Sequence, residues 1–258
     1  MSKTIVMIHG MWGGKWCWEN YQDFFEENGY QCIIPTLRYH GCNPKDEPIS
    51  QLGTTSLLDY AEDIEKEIRQ LDVKPILMGH SMGGLLAQIL GSRGLSEALV
   101  LLTPAPPYGI IALRWSVIRS FLSILTKWNF WKKPYRQTFN EAVYSMMNRL
   151  ETEEQKEAFS KFVYESGQAI FEIGLWPFDS KCAAKVDESK ITCPVLVISG
   201  TEDKITPASV VQKVAEKYKA VSTYKEFSNH THWVTGEHGW KEIAKFVANW
   251  LNENKFVA

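Results

Sequence analysis

Apolar runs of strand length alternate with amphipathic stretches through the first hundred residues. Ile5-Val6-Met7-Ile8, Gln31 to Pro35, Pro75-Ile76-Leu77-Met78 and Ala98 to Leu102 are the runs. Trp16 to Asn28 has the character of a helix and stops at Gly29, a residue suited to a helix end. Leu57, Ala61, Ile64, Ile68 and Leu71 recur at helical spacing, with Asp59, Glu62, Asp63, Glu65 and Lys66 on the other side. Leu85, Leu86, Ile89 and Leu90 fall on a helix after the third run. Strands without polar alternation are those buried on both faces, as in a parallel sheet between two layers of helices.

The rhythm breaks after Leu102. Thr103-Pro104-Ala105-Pro106-Pro107-Tyr108-Gly109 is rich in turn formers. From about Ile110 to Ala184 only helices are expected, with a capping box at Thr152-Glu153-Glu154-Gln155 and tryptophans at 115, 128, 131 and 176. Strands resume at Val195-Leu196-Val197-Ile198 and Thr223 to Phe227. A helix is expected from Thr206-Pro207, with Pro at its first position. A last helix carries Ile243, Phe246, Val247, Trp250 and Leu251 on one face.

Composition narrows the class. Of 258 residues, 45% are hydrophobic and 22% charged, which is enough apolar material for a sizeable core and excludes disorder. Lys+Arg of 28 against Asp+Glu of 30 leaves a net charge of -2, so no nucleic-acid partner is expected. The longest uncharged stretch, Pro75 to Ser92, holds His80, Ser81, Gln88 and four glycines, so no membrane span is expected. The sequence opens Met1-Ser2-Lys3-Thr4 without a signal-peptide core, and its five scattered cysteines form no CxxC pair. A reducing, cytoplasmic setting is the expectation, without disulfides or a zinc site.

Gly79-His80-Ser81-Met82-Gly83 fits G-x-S-x-G between a buried strand and a helix. A strand turning sharply into a helix lifts the serine oxygen clear of the sheet. It also sets that oxygen at the positive helix N-terminus, where a developing negative charge is stabilised. Here the sequence resembles the α/β-hydrolase superfamily, over nearly the whole chain. Val6-Met7-Ile8-His9-Gly10-Met11-Trp12-Gly13-Gly14 resembles its branch of small cofactor-free esterases, which also holds plant methylesterases and hydroxynitrile lyases. The resemblance implies a mostly parallel six-stranded sheet flanked by helices. It places a core domain at 1–104 and 185–258 and a helical cap at 105–184, inserted after the fourth strand.

Carried over position by position, the resemblance makes Ser81 the nucleophile and the backbone N–H groups of Met11 and Met82 the oxyanion donors. In Gly200-Thr201-Glu202-Asp203-Lys204-Ile205-Thr206-Pro207 it puts the acid at Asp203, with Glu202 as neighbour. His230, His232 and His238 follow the sixth strand. His232 in Asn229-His230-Thr231-His232-Trp233 best matches the family's loop, and Trp233 can anchor it. His230 and His238 are then expected as solvated loop residues, His9 and His80 as neighbours of the turn, and His40 as a surface residue. A seam under the cap, walled by Trp, Phe, Met and Leu, would suit small to medium apolar esters. No cofactor or metal is implied. Hydroxynitrile lyases carry Thr where this chain has Gly10, and Lys where it has Trp233. They remain an alternative, as does a small-molecule receptor built on a hydrolase pocket.

Overall fold

The protein is described by a computed structural model covering residues 3–256. In chain order the strands are β1 (Thr4–Ile8), β2 (Gln31–Ile33), β3 (Ile76–His80), β4 (Ala98–Leu102), β5 (Pro134–Tyr135), β6 (Glu165–Ser166), β7 (Val195–Gly200) and β8 (Ser222–Phe227). Six of them form one sheet in the order β2-β1-β3-β4-β7-β8, every neighbouring pair parallel. The helices are α1 (Glu19–Glu27), α2 (Leu57–Ile68), α3 (Met82–Ser92), α4 (Trp115–Ser120), α5 (Leu122–Leu125), α6 (Phe139–Ser145), α7 (Thr152–Ser160), α8 (Gly167–Gly174), α9 (Ala208–Lys217) and α10 (Trp240–Glu253).

The two-residue period of the strands sorts the core into two halves. Val6, Ile8, Leu77, Leu99, Leu101 and Val197 pack on one face with side chains of α2, α3 and α9. Ile5, Met7, Ile76, Met78, Val100 and Ile198 pack on the other with α1 and α10. Each such fully buried side chain contributes roughly 1.5–3 kcal/mol relative to an exposed one. Both faces are covered, so the apolar runs need no polar alternation.

The segment between β4 and β7 carries α4 to α8 and departs from the helices-only expectation. β5 and β6 pair antiparallel within it, with Pro134 opposite Ser166 and Tyr135 opposite Glu165. A ladder of two residues per strand has no period to read. The capping box of α7 is also one residue earlier than expected: Thr152 already lies inside the helix, and Glu154 accepts the Glu151 N–H at 2.9 Å. Pro207 stays just outside α9, in extended backbone.

Two carboxylates fasten this segment to the sheet's helical layer. Glu172 is fully buried and accepts the Leu57 N–H at 2.8 Å and the Ser56 hydroxyl at 2.8 Å, so it satisfies the open N-terminus of α2. Glu165, also fully buried, accepts the Tyr60 hydroxyl at 2.7 Å, one turn further along α2.

Candidate active site

Ser81 stands between β3 and α3 with φ 56° and ψ −122°, a conformation costly for a residue with a side chain. The surroundings hold it there. Its N–H donates to the Leu102 carbonyl at 3.1 Å, and its carbonyl accepts the Ala105 N–H at 2.8 Å. The turn leaves no room for side chains at its flanks: a Cβ on Gly79 would lie 2.2 Å from the Gly83 carbonyl oxygen, and one on Gly83 would lie 2.0 Å from that of Ile8. The loop after β1 presses on the serine itself, since a Cβ on Gly10 would lie 2.8 Å from the Ser81 Cβ. Met82 opens α3, where the first N–H groups lack helical partners. Met11 follows Gly10 and is partly buried.

Asp203 and His232 meet in the interior. His232 Nδ1 donates to Asp203 Oδ2 at 2.7 Å, and both side chains are fully buried. The other Asp203 oxygen accepts the N–H groups of Ile205 and Thr206, each at 2.8 Å, which fixes the carboxylate. The Thr206 hydroxyl donates to Asp203 Oδ2 at 2.8 Å and lies 3.2 Å from His232 Nδ1. His232 Nε2 is buried and, among the described residues, has no hydrogen-bond partner. The ring lies against His80, centroid to centroid 4.9 Å, and His80 Nε2 donates to the His232 carbonyl at 2.7 Å. His80 directly precedes Ser81, so the structure brings Ser81, His232 and Asp203 to one end of the sheet. Trp233 anchors the loop as expected, stacked on Phe162 with 7° between the rings.

Thr206, Thr103 and the Glu237 carboxylate escaped the sequence reading. Thr103 sits at φ 42° and its hydroxyl donates to the His232 carbonyl at 3.3 Å. Thr206 was legible in principle: Asp followed three residues later by Thr-Pro is a turn-and-cap pattern. His230 is not a solvated loop residue. It is buried and its Nδ1 lies 2.9 Å from Glu237 Oε1, while Glu237 also accepts the Thr231 N–H and hydroxyl. His238 is exposed, 3.3 Å from Glu154, and Glu202 pairs outward with Arg149 at 3.0 Å.

His40 corrects the sequence reading most plainly, for it is buried rather than superficial. Its Nε2 meets Glu165 Oε2 at 3.1 Å and its Nδ1 meets the Arg38 carbonyl at 3.0 Å. The Arg38 carbonyl only accepts and an ionised Glu165 accepts as well, so the surroundings favour the ring with a proton on each nitrogen. Desolvation opposes that charge, but the Glu165 carboxylate outweighs it and raises the pKa above its ordinary value. His9 and His80 are the reverse. Burial, with a neighbouring imidazole, pushes each down to about 3, so both are neutral.

The cover over this region is tight: Ser81 is 8% exposed. Trp12, Phe130, Met147, Phe162 and Ile170 fill the junction between the inserted segment and the sheet domain. Trp115 and Trp128, two of the insert's four tryptophans, face solvent.

The chain belongs to the alpha/beta hydrolase family, whose sequence model matches residues 5–246. It is 25% identical over 222 residues to protein ABHD8 of Bos taurus, a match covering 83% of this chain and 48% of that one. It thus spans about half the length of that relative. The monoacylglycerol lipase of Paleococcus ferrophilus superposes with a TM-score of 0.68 at 19% identity, covering 96% of this chain and 93% of the other. The Arabidopsis methylesterase protein MES16 gives 0.73 at 12% identity, with 97% and 99% covered. At such identities these two share the fold with this chain, which is a mostly parallel six-stranded sheet flanked by helices.

Proposed function

We propose that the protein is a cofactor-free serine hydrolase of small to medium apolar carboxylic esters. The observation that carries this reading is the His232 ring: Asp203 holds Nδ1, and Nε2 is left buried and free beside the strained turn of Ser81. A general base needs that division of its two nitrogens, one to orient and one to take the proton. The lipase and methylesterase likenesses agree with ester chemistry.

In this reading Ser81 Oγ attacks the ester carbonyl carbon as its proton passes to His232 Nε2. Asp203 stabilises the imidazolium so formed. The Met11 and Met82 N–H groups hold the oxyanion, a contribution of about 3 kcal/mol per donor in comparable sites. Collapse expels the alcohol, protonated from Nε2, and water then cleaves the acyl-enzyme by the same route. Residues 105–184 act as the cap that keeps water out and shapes the acyl site.

The test is a p-nitrophenyl ester series of increasing acyl length with stopped-flow detection. A burst of p-nitrophenol equal to the enzyme concentration, absent from Ser81→Ala, is the expected result. Steady turnover that survives Ser81→Ala would refute the assignment.

A further inference from the structure

Residues 110–133 contain Arg114, Arg119, Lys127, Lys132 and Lys133 and no acidic residue, in a chain whose net charge is -2. All five cations are exposed. No carboxylate among the described residues forms a salt bridge with any of them. Arg119 and Lys127 rest instead over the Tyr144 and Tyr135 rings, at 4.0 and 5.3 Å. The same stretch exposes its large apolar side chains: Ile111 65%, Leu113 75%, Trp115 73% and Trp128 86%. Trp176 donates its indole N–H to the Ile110 carbonyl at 3.3 Å, and two residues on Phe178 is 77% exposed. Such side chains are single accidents elsewhere on a surface. Here they share one short stretch of chain with unpaired positive charge.

We infer that residues 110–133 form a surface that docks onto an anionic lipid bilayer. Exposed tryptophans with unpaired Arg and Lys are the composition of the membrane interface, where indole rings sit at headgroup level and cations meet phosphates. A second copy of the chain fits poorly, because a two-fold contact would set five cations against five. The docking is peripheral: among the described residues no helix is long and apolar enough to cross a membrane. The surface begins five residues beyond Ala105, whose N–H holds the Ser81 carbonyl. Docking would therefore bring lipid to the same side of the molecule as the segment that covers the site.

The experiment is co-sedimentation of the full chain with large vesicles, either pure phosphatidylcholine or phosphatidylcholine mixed with phosphatidylglycerol. Binding to the mixed vesicles, weakened by added salt, is expected. Trp115→Ser with Trp128→Ser should lower the partition coefficient at least about tenfold, since two interfacial anchors are lost. Arg119→Gln with Lys127→Gln should lower it by a similar factor, at about fivefold per cation. These four side chains lie on the solvent face of the cap segment and none bonds to Ser81, Asp203 or His232, so hydrolysis of a water-soluble ester should be unchanged. That keeps failure here separate from failure of the esterase reading. No binding to mixed vesicles, equal binding by both double variants, or capture of an acidic soluble protein without vesicle binding would overturn the inference.

Discussion

Of the three buried imidazole–carboxylate pairs among the described residues, His232 with Asp203 and His40 with Glu165 are built from the same kinds of group and placed differently. His232 and Asp203 stand 2.7 Å apart, and the second ring nitrogen has no hydrogen-bond partner among the described residues. His40 and Glu165 stand 3.1 Å apart, and the second nitrogen is taken by a backbone carbonyl. The first arrangement can accept a proton. The second has both ring nitrogens engaged, so it can only hold. On the proposed reading, what separates a base from a clamp here is the partner of one atom, not burial, residue type or the neighbouring acid.

That contrast can be broken by mutation. Ser81→Ala should reduce kcat by about 10⁴-fold or more and His232→Ala by about 10³-fold or more, with Tm nearly unchanged in Ser81→Ala. His40→Ala should stay within about tenfold per folded molecule. If His40→Ala is inactive while folded and His232→Ala is active, the two roles have been exchanged. For the clamp, Glu165→Gln should cost about 3 kcal/mol of stability, because a buried charge then lacks its partner. A urea midpoint equal to wild type would rule the clamp out.

Two smaller effects sharpen the comparison. Gly10→Ala should lower kcat about 10²-fold by displacing Ser81, the scale of a misplacement near 1 Å, while leaving the clamp and most of the stability intact. The same clash argues against the lyase alternative, since the Thr of those enzymes is larger still. An unchanged kcat would mean the loop yields freely. The weakest expected signal is in pH. The folded pKa of His40 is raised, so its stabilisation is complete below the unfolded value of about 6.5 and is lost as pH rises through the folded value. Urea midpoints should therefore fall above about pH 6.5 in wild type and stay flatter in His40→Gln. Parallel curves would show that His40 does not titrate with folding.

The sheet was legible because the apolar runs of its four central strands report burial on both faces, and Val6 or Ile198 needs no distant partner to be read. Ser81 was legible because its turn demands Gly79 and Gly83 locally. His232 was separable from His230 only by its neighbours in the chain. His40 was not legible at all: the carboxylate that buries it lies 125 residues away, and an isolated histidine near Gly41-Cys42-Asn43-Pro44 looks like loop. The same distance effect hid Glu172, whose partners Ser56 and Leu57 lie 116 and 115 residues away and are a hydroxyl and a backbone N–H that leave no mark on the sequence. Trp115 and Trp128 misled for the opposite reason. Tryptophan is read as core, and nothing local says that it faces water.

The parallel order of the sheet has a consequence for the newborn chain. Ser81 and its strained turn are specified by β1, β3 and β4, which leave the ribosome early. Asp203 and His232 ride on loops after β7 and β8, the last two strands to be made. Between them the whole inserted segment must be synthesised and its Glu165 and Glu172 delivered to α2. On the proposed reading, a nascent chain with its serine already displayed would have no base beside it, and would stay chemically silent while its own core is still open to the cell.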